Sequence, residues 1–271
     1  MLDRVRLNGL DLLVAGELTK RGVMVAFTGR EGGSSSGPYS SLNLSYDVGD
    51  SRADVTASRL AVAGAIGVPL DRWVTGRQVH GACVSEVGPL EVGRGARDYA
   101  SGIPRTDGLV SVVAGVALGV LTADCLPVVM VAGHGRAVAV AHAGWRGVLA
   151  GTAAAAMHAL AKRSACPMEE ILVFIGPHIG FCCMEAGGEL AELFRRRFEE
   201  GVTRRGEGGG RFVDLERACE LQLLGAGASP GNIFGSRTCT ACSQSYFSFR
   251  GSGGECGRQG GFAALLREEG A

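Results

Sequence analysis

Lysine is nearly missing from this chain: of 27 basic residues only Lys20 and Lys162 are lysines, and 27 acidic residues bring the formal net charge to zero. A surface without net positive charge offers no electrostatic footprint for a polyanion, so no nucleic-acid partner is expected. Periodic glycine is missing too. The 44 glycines and 8 prolines follow no G-X-Y repeat, which excludes a collagenous chain or a low-complexity linker and leaves turns and close backbone approaches as the use of glycine. The first twenty residues lack the unbroken apolar core of a signal peptide, because Asp3, Arg4, Arg6 and Glu17 interrupt it. Residues 109–132 have the length of a membrane span, but Thr122, Asp124 and Pro127 stand in its middle, so the segment reads as two buried strands. No membrane association is expected. The nine cysteines are odd in number and too sparse for the framework of a small secreted scaffold, which favours free thiols or a metal site in a reducing, cytoplasmic setting.

What is present describes a globular chain. Of 271 residues, 46% are hydrophobic and 20% charged, enough apolar material for a sizeable core. The Gly-, Ser- and Arg-rich segments 30–39, 92–105, 201–211 and 250–261 are too short to be interdomain linkers, so a single domain over 1–271 is expected. Apolar runs of strand length fall at 23–27, 72–78, 82–87, 108–113, 116–122, 127–131, 136–141 and 171–175. Helical patterns fall at 51–65 with Asp50 or Ser51 as cap, at 152–162, at 185–199, and at 214–224 with Asp214 as cap. The order is mixed, without the strict alternation of a dinucleotide-binding fold.

Three reactive side chains close strands at glycine-rich turns: His80 in Gln78-Val79-His80-Gly81, Cys125 in Thr122-Ala123-Asp124-Cys125, and His142 in Ala141-His142-Ala143-Gly144. Two imidazoles and a thiolate suit zinc, and three protein ligands leave a fourth tetrahedral position open for catalysis. The same residues also allow a metal-free reading, with Cys125 as nucleophile and His142 or His80 as its base. No H-x-x-H or C-x-x-C spacing links them, so their meeting is an inference from residue type alone. Gly144-Trp145-Arg146-Gly147 opens a helix and presents free backbone N–H groups, an anion pocket to which Arg146, Arg59 or Arg77 could add charge. Asp124 is a possible general base or an outer partner of the site. Cys239-x-x-Cys242 lacks a second pair at zinc-ribbon spacing and reads as two ordinary loop thiols, while the vicinal pair Cys182-Cys183 lies in a loop before a helix. His134, at a hairpin tip, and His158, in the Ala-rich helix, read as structural or solvated.

Taken together, Gly37-Pro38-Tyr39, Ser41-Leu42-Asn43-Leu44, Val48-Gly49-Asp50, Gln78-Val79-His80-Gly81, Thr122-Ala123-Asp124-Cys125-Leu126-Pro127-Val128, Ala141-His142-Ala143-Gly144-Trp145-Arg146-Gly147, Gly176-Pro177 with Ile179-Gly180, and Cys239-Thr240 with Phe247-Ser248-Phe249-Arg250 resemble the bacterial laccase-domain family. That family is also described as multicopper polyphenol oxidases or purine nucleoside phosphorylases and is related to the human protein FAMIN. The resemblance runs from about residue 27 to 266. It implies a single α+β domain of mixed β-sheets sandwiched with outer helices, and a zinc ion held by His80, Cys125 and His142. It further implies phosphorolysis of adenosine, inosine, guanosine and methylthioadenosine together with adenosine deamination, with nucleosides and phosphate as the small-molecule partners. In that reading Cys125, Asp124, His80 and His142 are catalytic, Asp124 moves a proton, and Asn43, Arg59, Gln78 and Arg146 contact substrate. Copper is the alternative metal and phenol oxidation the alternative activity, but five histidines cannot furnish a mononuclear and a trinuclear copper site together. A non-catalytic metal-binding domain is the remaining alternative.

Overall fold

The computed structural model describes residues 1–198 and 201–267. In chain order the elements are β1 (Asp3–Leu7), β2 (Leu10–Val14), α1 (Gly16–Thr19), β3 (Val23–Thr28), α2 (Arg52–Ile66), β4 (Trp73–Thr75), β5 (Val84–Val87), β6 (Gly108–Ser111), β7 (Ala117–Thr122), β8 (Leu126–Val131), β9 (Val138–Ala143), α3 (Trp145–Ala150), α4 (Thr152–Ser164) and β10 (Leu172–Ile175). They continue with β11 (Glu185–Ala186), α5 (Gly188–Phe198), β12 (Thr203–Arg205), β13 (Arg211–Val213), α6 (Leu215–Gly225), β14 (Ile233–Gly235) and β15 (Gln259–Leu265).

Two six-stranded sheets carry the fold, ordered β1-β2-β3-β15-β7-β4 and β14-β10-β8-β9-β6-β5, with a small β11-β13-β12 sheet beside them. Most neighbours run antiparallel, but β4 joins β7, β5 joins β6 and β14 joins β10 in parallel, so both large sheets are mixed. Alternation along each strand divides its side chains between two cores. Val23, Val25 and Phe27 of β3 face Val129, Val131, Val138, Val140 and Phe174 of the other sheet, while Met24 and Ala26 turn to the opposite side, under α2. Likewise Val128 and Met130 of β8 and Ala139, Ala141 and Ala143 of β9 face α4 and α6. The result is four layers, with α2 outside the first sheet and α3, α4, α5 and α6 outside the second. It is the expected sandwich of mixed sheets and outer helices. Phe27 and Phe174 are almost fully buried between the sheets, each worth roughly 1.5–3 kcal/mol relative to an exposed ring.

Local chemistry sets the helix ends. The Ser51 hydroxyl caps α2 by accepting from the Asp54 N–H at 3.4 Å, and Gly67 ends it with φ of 72°. Asp214 caps α6 by accepting from the Arg217 N–H at 2.9 Å. Several expectations need correction. The segment expected as strand 72–78 is a strand only over Trp73–Thr75. Strand β9 runs to Ala143, so His142 lies within the strand rather than in a turn after it. The helix expected at 152–162 is preceded by a separate six-residue helix, α3. Residues 109–132 hold most of β6, all of β7 and all of β8, three strands rather than two. The helix expected at 185–199 begins at Gly188, and Glu199 lies outside the described residues. Strand β15, unexpected in the Gly-rich tail, is central to the first sheet. A Cβ at Gly261 would stand 2.9 Å from Pro127 Cβ and 3.1 Å from the Phe27 ring, so that glycine permits the close approach of the two sheets.

Candidate metal centre and active site

Two connections cross from one sheet to the other at the same end of the sandwich. One leads from β4 to β5 and carries His80; the other leads from β7 to β8 and carries Asp124 and Cys125. His142 follows Val138 and Val140 at alternate positions of β9, so it faces the gap between the sheets beside those crossings. The three side chains expected to share a site therefore meet: one ligand atom from each of His80, Cys125 and His142 lies within 4.8 Å of the others. The two imidazole centroids are 4.7 Å apart. A Cβ at Gly144 would fall 2.8 Å from Cys125 Sγ and 2.9 Å from His80 Cδ2, so the glycine after the His142 strand makes room for the cluster.

Asp107, at the entrance to β6, organises this arrangement. Its buried carboxylate accepts from the backbone N–H groups of Val79, His80 and Gly81 and lies 2.9 Å from His142 Nδ1. Burial pushes its pKa up, but the His142 ring and the amides outweigh burial and hold it below the usual carboxylate range. The backbone bonds also hold His80 in the left-handed region, at φ of 59°. Burial alone would raise the Cys125 thiol, yet the facing His142 and His80 rings bring it down to about 6. His142 moves the opposite way: burial lowers it, and Cys125 with Asp107 raises it to about 9. In the protein alone each partner favours the charged form of the other, thiolate for Cys125 and imidazolium for His142. A metal ion fits this donor set, because Asp107 claims His142 Nδ1 and leaves Nε2 for the ion, the carboxylate–histidine arrangement that supports zinc.

The cluster opens into a cavity of about 480 Å³, within the size range of small-molecule sites. Phe249 and Tyr99 line it as exposed aromatics. Arg59 lines it as well, but not as a solvated helix residue: it is 2% exposed. Its Nε donates to Leu44 O at 2.7 Å and its Nη1 to Gly95 O and Ala96 O at 2.6 and 2.9 Å, while its guanidinium lies 4.5 Å from the Tyr46 ring centroid. Burial lowers its pKa to about 10, so it remains charged, and it makes no ion pair among the described residues. Arg146 is exposed at the cavity with its guanidinium 4.0 Å from the Trp145 ring centroid.

The other expected site residues differ in how they meet the cavity. Asn43 is fully buried and is not part of the cavity lining; its amide donates to Ser45 O and Asp50 and accepts from the N–H groups of Ser45 and Arg258, which ties the 43–50 loop to the entry of β15. Gln78 lines the cavity, but its amide pairs at 2.8 Å with both the N–H and the carbonyl of Leu121. Asp124 lines the cavity next to Cys125 and accepts from Thr240 Oγ1 at 2.6 Å and from the Arg250 N–H at 2.7 Å, so its carboxylate is fixed to the chain around residues 240 and 250. Arg77 is not in the lining. Sequence reasoning missed Asp107, whose one signal is an acid directly before a fully buried strand. It also read Cys239 and Cys242 as ordinary loop thiols, whereas the structure brings them together with Cys182 and Cys183.

Residues 24–266 match the family described as multi-copper polyphenol oxidoreductase laccase. The chain belongs to that family. It is 38% identical over 251 residues to the purine nucleoside phosphorylase YlmD of Geobacillus stearothermophilus, covering 91% of this chain and 92% of that protein. It is 33% identical over 234 residues to the adenosine deaminase RL5 of an unknown prokaryotic organism, covering 85% and 88%. The crystal structure of YlmD from Geobacillus stearothermophilus superposes with a TM-score of 0.89 at 36% identity, covering 94% of this chain and 96% of that one. Among the described residues no helix is long and apolar enough to cross a membrane.

Proposed function

We propose that this protein is a cytoplasmic purine nucleoside phosphorylase acting on adenosine, inosine, guanosine and methylthioadenosine, with zinc resident at His80, Cys125 and His142, and that it also deaminates adenosine. The observation that carries this reading is one nitrogen-and-sulfur ligand set and one buried arginine, without a carboxylate partner among the described residues, lining the same nucleoside-sized cavity. The names of the relatives support the same two activities.

His80, Cys125 and His142 would hold the zinc, which when bound would supply Lewis acidity and lower the pKa of water. Asp107 fixes the His142 ring so that Nε2 faces the ligand set, and its bonds to the 79–81 amides place His80 opposite. In phosphorolysis a phosphate oxygen bonds to the anomeric carbon of the ribose as the bond to the purine nitrogen breaks. The transition state is cationic at the sugar and the nucleophile is an anion, so a fixed positive charge beside the phosphate orients it without a proton that can be lost. Arg59 is that charge, held by backbone carbonyls rather than neutralised by a carboxylate. Arg146 adds charge at the cavity mouth, and Phe249 and Tyr99 offer faces for the purine. Asp124 lines the cavity beside Cys125, fixed by one accepted hydrogen bond on each oxygen, and is assigned the proton transfer.

The test is chromatography of each nucleoside incubated with purified protein, with and without phosphate, beside metal analysis. Release of free base together with pentose 1-phosphate, dependent on phosphate and lost in Cys125→Ala, is expected. Base release at the same rate without phosphate, or no turnover by protein carrying its metal, would overturn the reading.

Copper accepts the same ligand set, which makes phenol oxidation the second reading. A multicopper mechanism needs further imidazoles, and the other three are placed elsewhere: His134 beside Ser164 O, His158 beside Ala154 O, and His178 beside Gly176 O. Protein isolated without added metal that carries copper and oxidises phenols faster than it turns over nucleosides would reverse the order.

A further inference from the structure

A second set of metal-ligating side chains lies outside the cavity lining. Cys182 and Cys183 sit between β10 and β11, and Cys239 and Cys242 follow β14. All four sulfurs lie within 4.8 Å of one another, with Cys182 Sγ 3.6 Å and Cys183 Sγ 3.3 Å from Cys242 Sγ. Sulfurs around one tetrahedral ion at about 2.3 Å stand about 3.8 Å apart, a value inside that spread. A disulfide bond needs about 2.05 Å, and all nine cysteines are free.

We propose that Cys182, Cys183, Cys239 and Cys242 form a closed tetrathiolate zinc site that fixes one wall of the catalytic cavity. The assignment is independent of the activity proposed above.

Three features support it. Cys239 Sγ accepts from the backbone N–H of Gly180 at 3.2 Å, the amide-to-sulfur bonding that stabilises a metal-bound thiolate. Gly180 carries no Cβ where one would stand 3.0 Å from Cys239 Cβ and 3.3 Å from Cys182 Sγ, so the loop closes tightly over the sulfurs. Four thiolates around a divalent ion leave a doubly negative site, and two arginines reach its loop: Arg250 Nη1 donates to Cys183 O and Arg204 Nη2 to Phe181 O, each at 3.2 Å. Four protein ligands leave no open position, which is the pattern of a structural ion, and sulfur-only tetrahedral donors select zinc or iron over the metals of oxygen-rich sites.

The site sits where it can act on the cavity. The first loop also carries Ile179 and Met184, and the second is followed by Phe249 and Arg250, all four of which line the cavity. Thr240, between the two cysteines of the second loop, donates to Asp124 beside Cys125. An ion clamping the loops therefore holds Ile179, Met184, Phe249 and Arg250 in register with the His80, Cys125 and His142 cluster.

The experiment measures zinc per chain by mass spectrometry in protein produced in zinc-supplemented medium, with X-ray absorption on the same samples. The whole protein should carry two zinc ions. His142→Ala should carry one, with an all-sulfur shell at about 2.3 Å. Cys242→Ser should carry one, with a mixed nitrogen and sulfur shell, and circular dichroism confirms that each variant is folded. If Cys242→Ser fails to fold, the spectrum of folded His142→Ala decides alone. A whole protein whose zinc shows no all-sulfur shell, a His142→Ala protein without an all-sulfur ion, iron in place of zinc, or a Cys182–Cys242 disulfide in freshly purified reduced protein would each overturn the assignment, whereas a single zinc with an all-sulfur shell would uphold it and overturn the metal reading of His80, Cys125 and His142.

Discussion

Replacing Asp107 by Asn keeps size and shape while changing one oxygen into a donor, and the structure defines what that donor meets. One carboxylate oxygen accepts from the His80 N–H at 2.9 Å and faces His142 Nδ1 at 2.9 Å; the other accepts from the Gly81 N–H at 2.8 Å. An amide NH2 in the first place opposes the His80 N–H and forces His142 into the tautomer whose proton sits on Nε2, the nitrogen needed by the ion. An amide NH2 in the second place opposes the Gly81 N–H and frees the 79–81 turn that carries His80. Either orientation leaves at least one buried donor unsatisfied, which costs about 1–3 kcal/mol of stability. The damage to ligand geometry should weaken zinc by roughly 10–100-fold, equivalent to about 1.4–2.7 kcal/mol. Chelator competition well below the melting temperature measures the affinity, and thermal melting followed by circular dichroism measures the stability. An Asp107→Asn protein with unchanged zinc affinity and unchanged melting temperature would refute the role given to this carboxylate.

Arg59→Met should raise the KM for phosphate by about tenfold or more while zinc content is kept and deamination falls less, as expected for loss of a charge-assisted contact of roughly 1.5–3 kcal/mol; equal loss of both activities in steady-state assays would move Arg59 out of phosphate binding. Gly144→Ala, at a φ of −68° that any residue adopts, places a methyl group against Cys125 and His80, and chelator competition should show weaker zinc with a circular dichroism spectrum like that of the parent. Burial, with Glu220 and Asp214 nearby, raises Glu216 from 4.5 to about 7, so its cost to stability sets in as pH rises above about 4.5 and is complete above about 7, at about 3 kcal/mol. Glu216→Gln should therefore melt higher than the parent above neutrality and at the same temperature in acid; a pH-independent difference would show that Glu216 does not ionise in this window.

The readable parts of the fold were those where local pattern and tertiary demand agree. Strands β3, β7, β8 and β10 are apolar runs because both faces are covered, and α2 and α6 announce themselves by Ser51 and Asp214. Strand β15 was unreadable because its Gly260 and Gly261 argue against a strand locally, whereas the reason for the second glycine is Pro127 and Phe27 across the sheets. The β1–β2 hairpin was hidden by the alternation of Arg4 and Arg6 with apolar residues, which served to exclude a signal peptide but also marks a half-exposed edge strand. The β11-β13-β12 sheet rests on strands of two or three residues, too short for any periodicity.

The site divides along a different line, between residue type and residue meeting. His80, Cys125 and His142 were legible as ligands because each closes or abuts a strand at a glycine-rich turn, but nothing in their spacing brings them together. What does so is a pair of sheet-to-sheet crossings and the alternation that turns His142 inward. Asp107 had no pattern to reveal it, since its partners are backbone amides 26 to 28 residues away. The same limit hid the four cysteines. Each pair was visible alone, and one pair of sulfurs reads as two thiols until the chain returns 59 or 60 residues later with the other. Zinc-ribbon spacing is not a requirement for four sulfurs to converge, because tetrahedral ligation constrains where the sulfurs stand in space and leaves the length of chain between the pairs free.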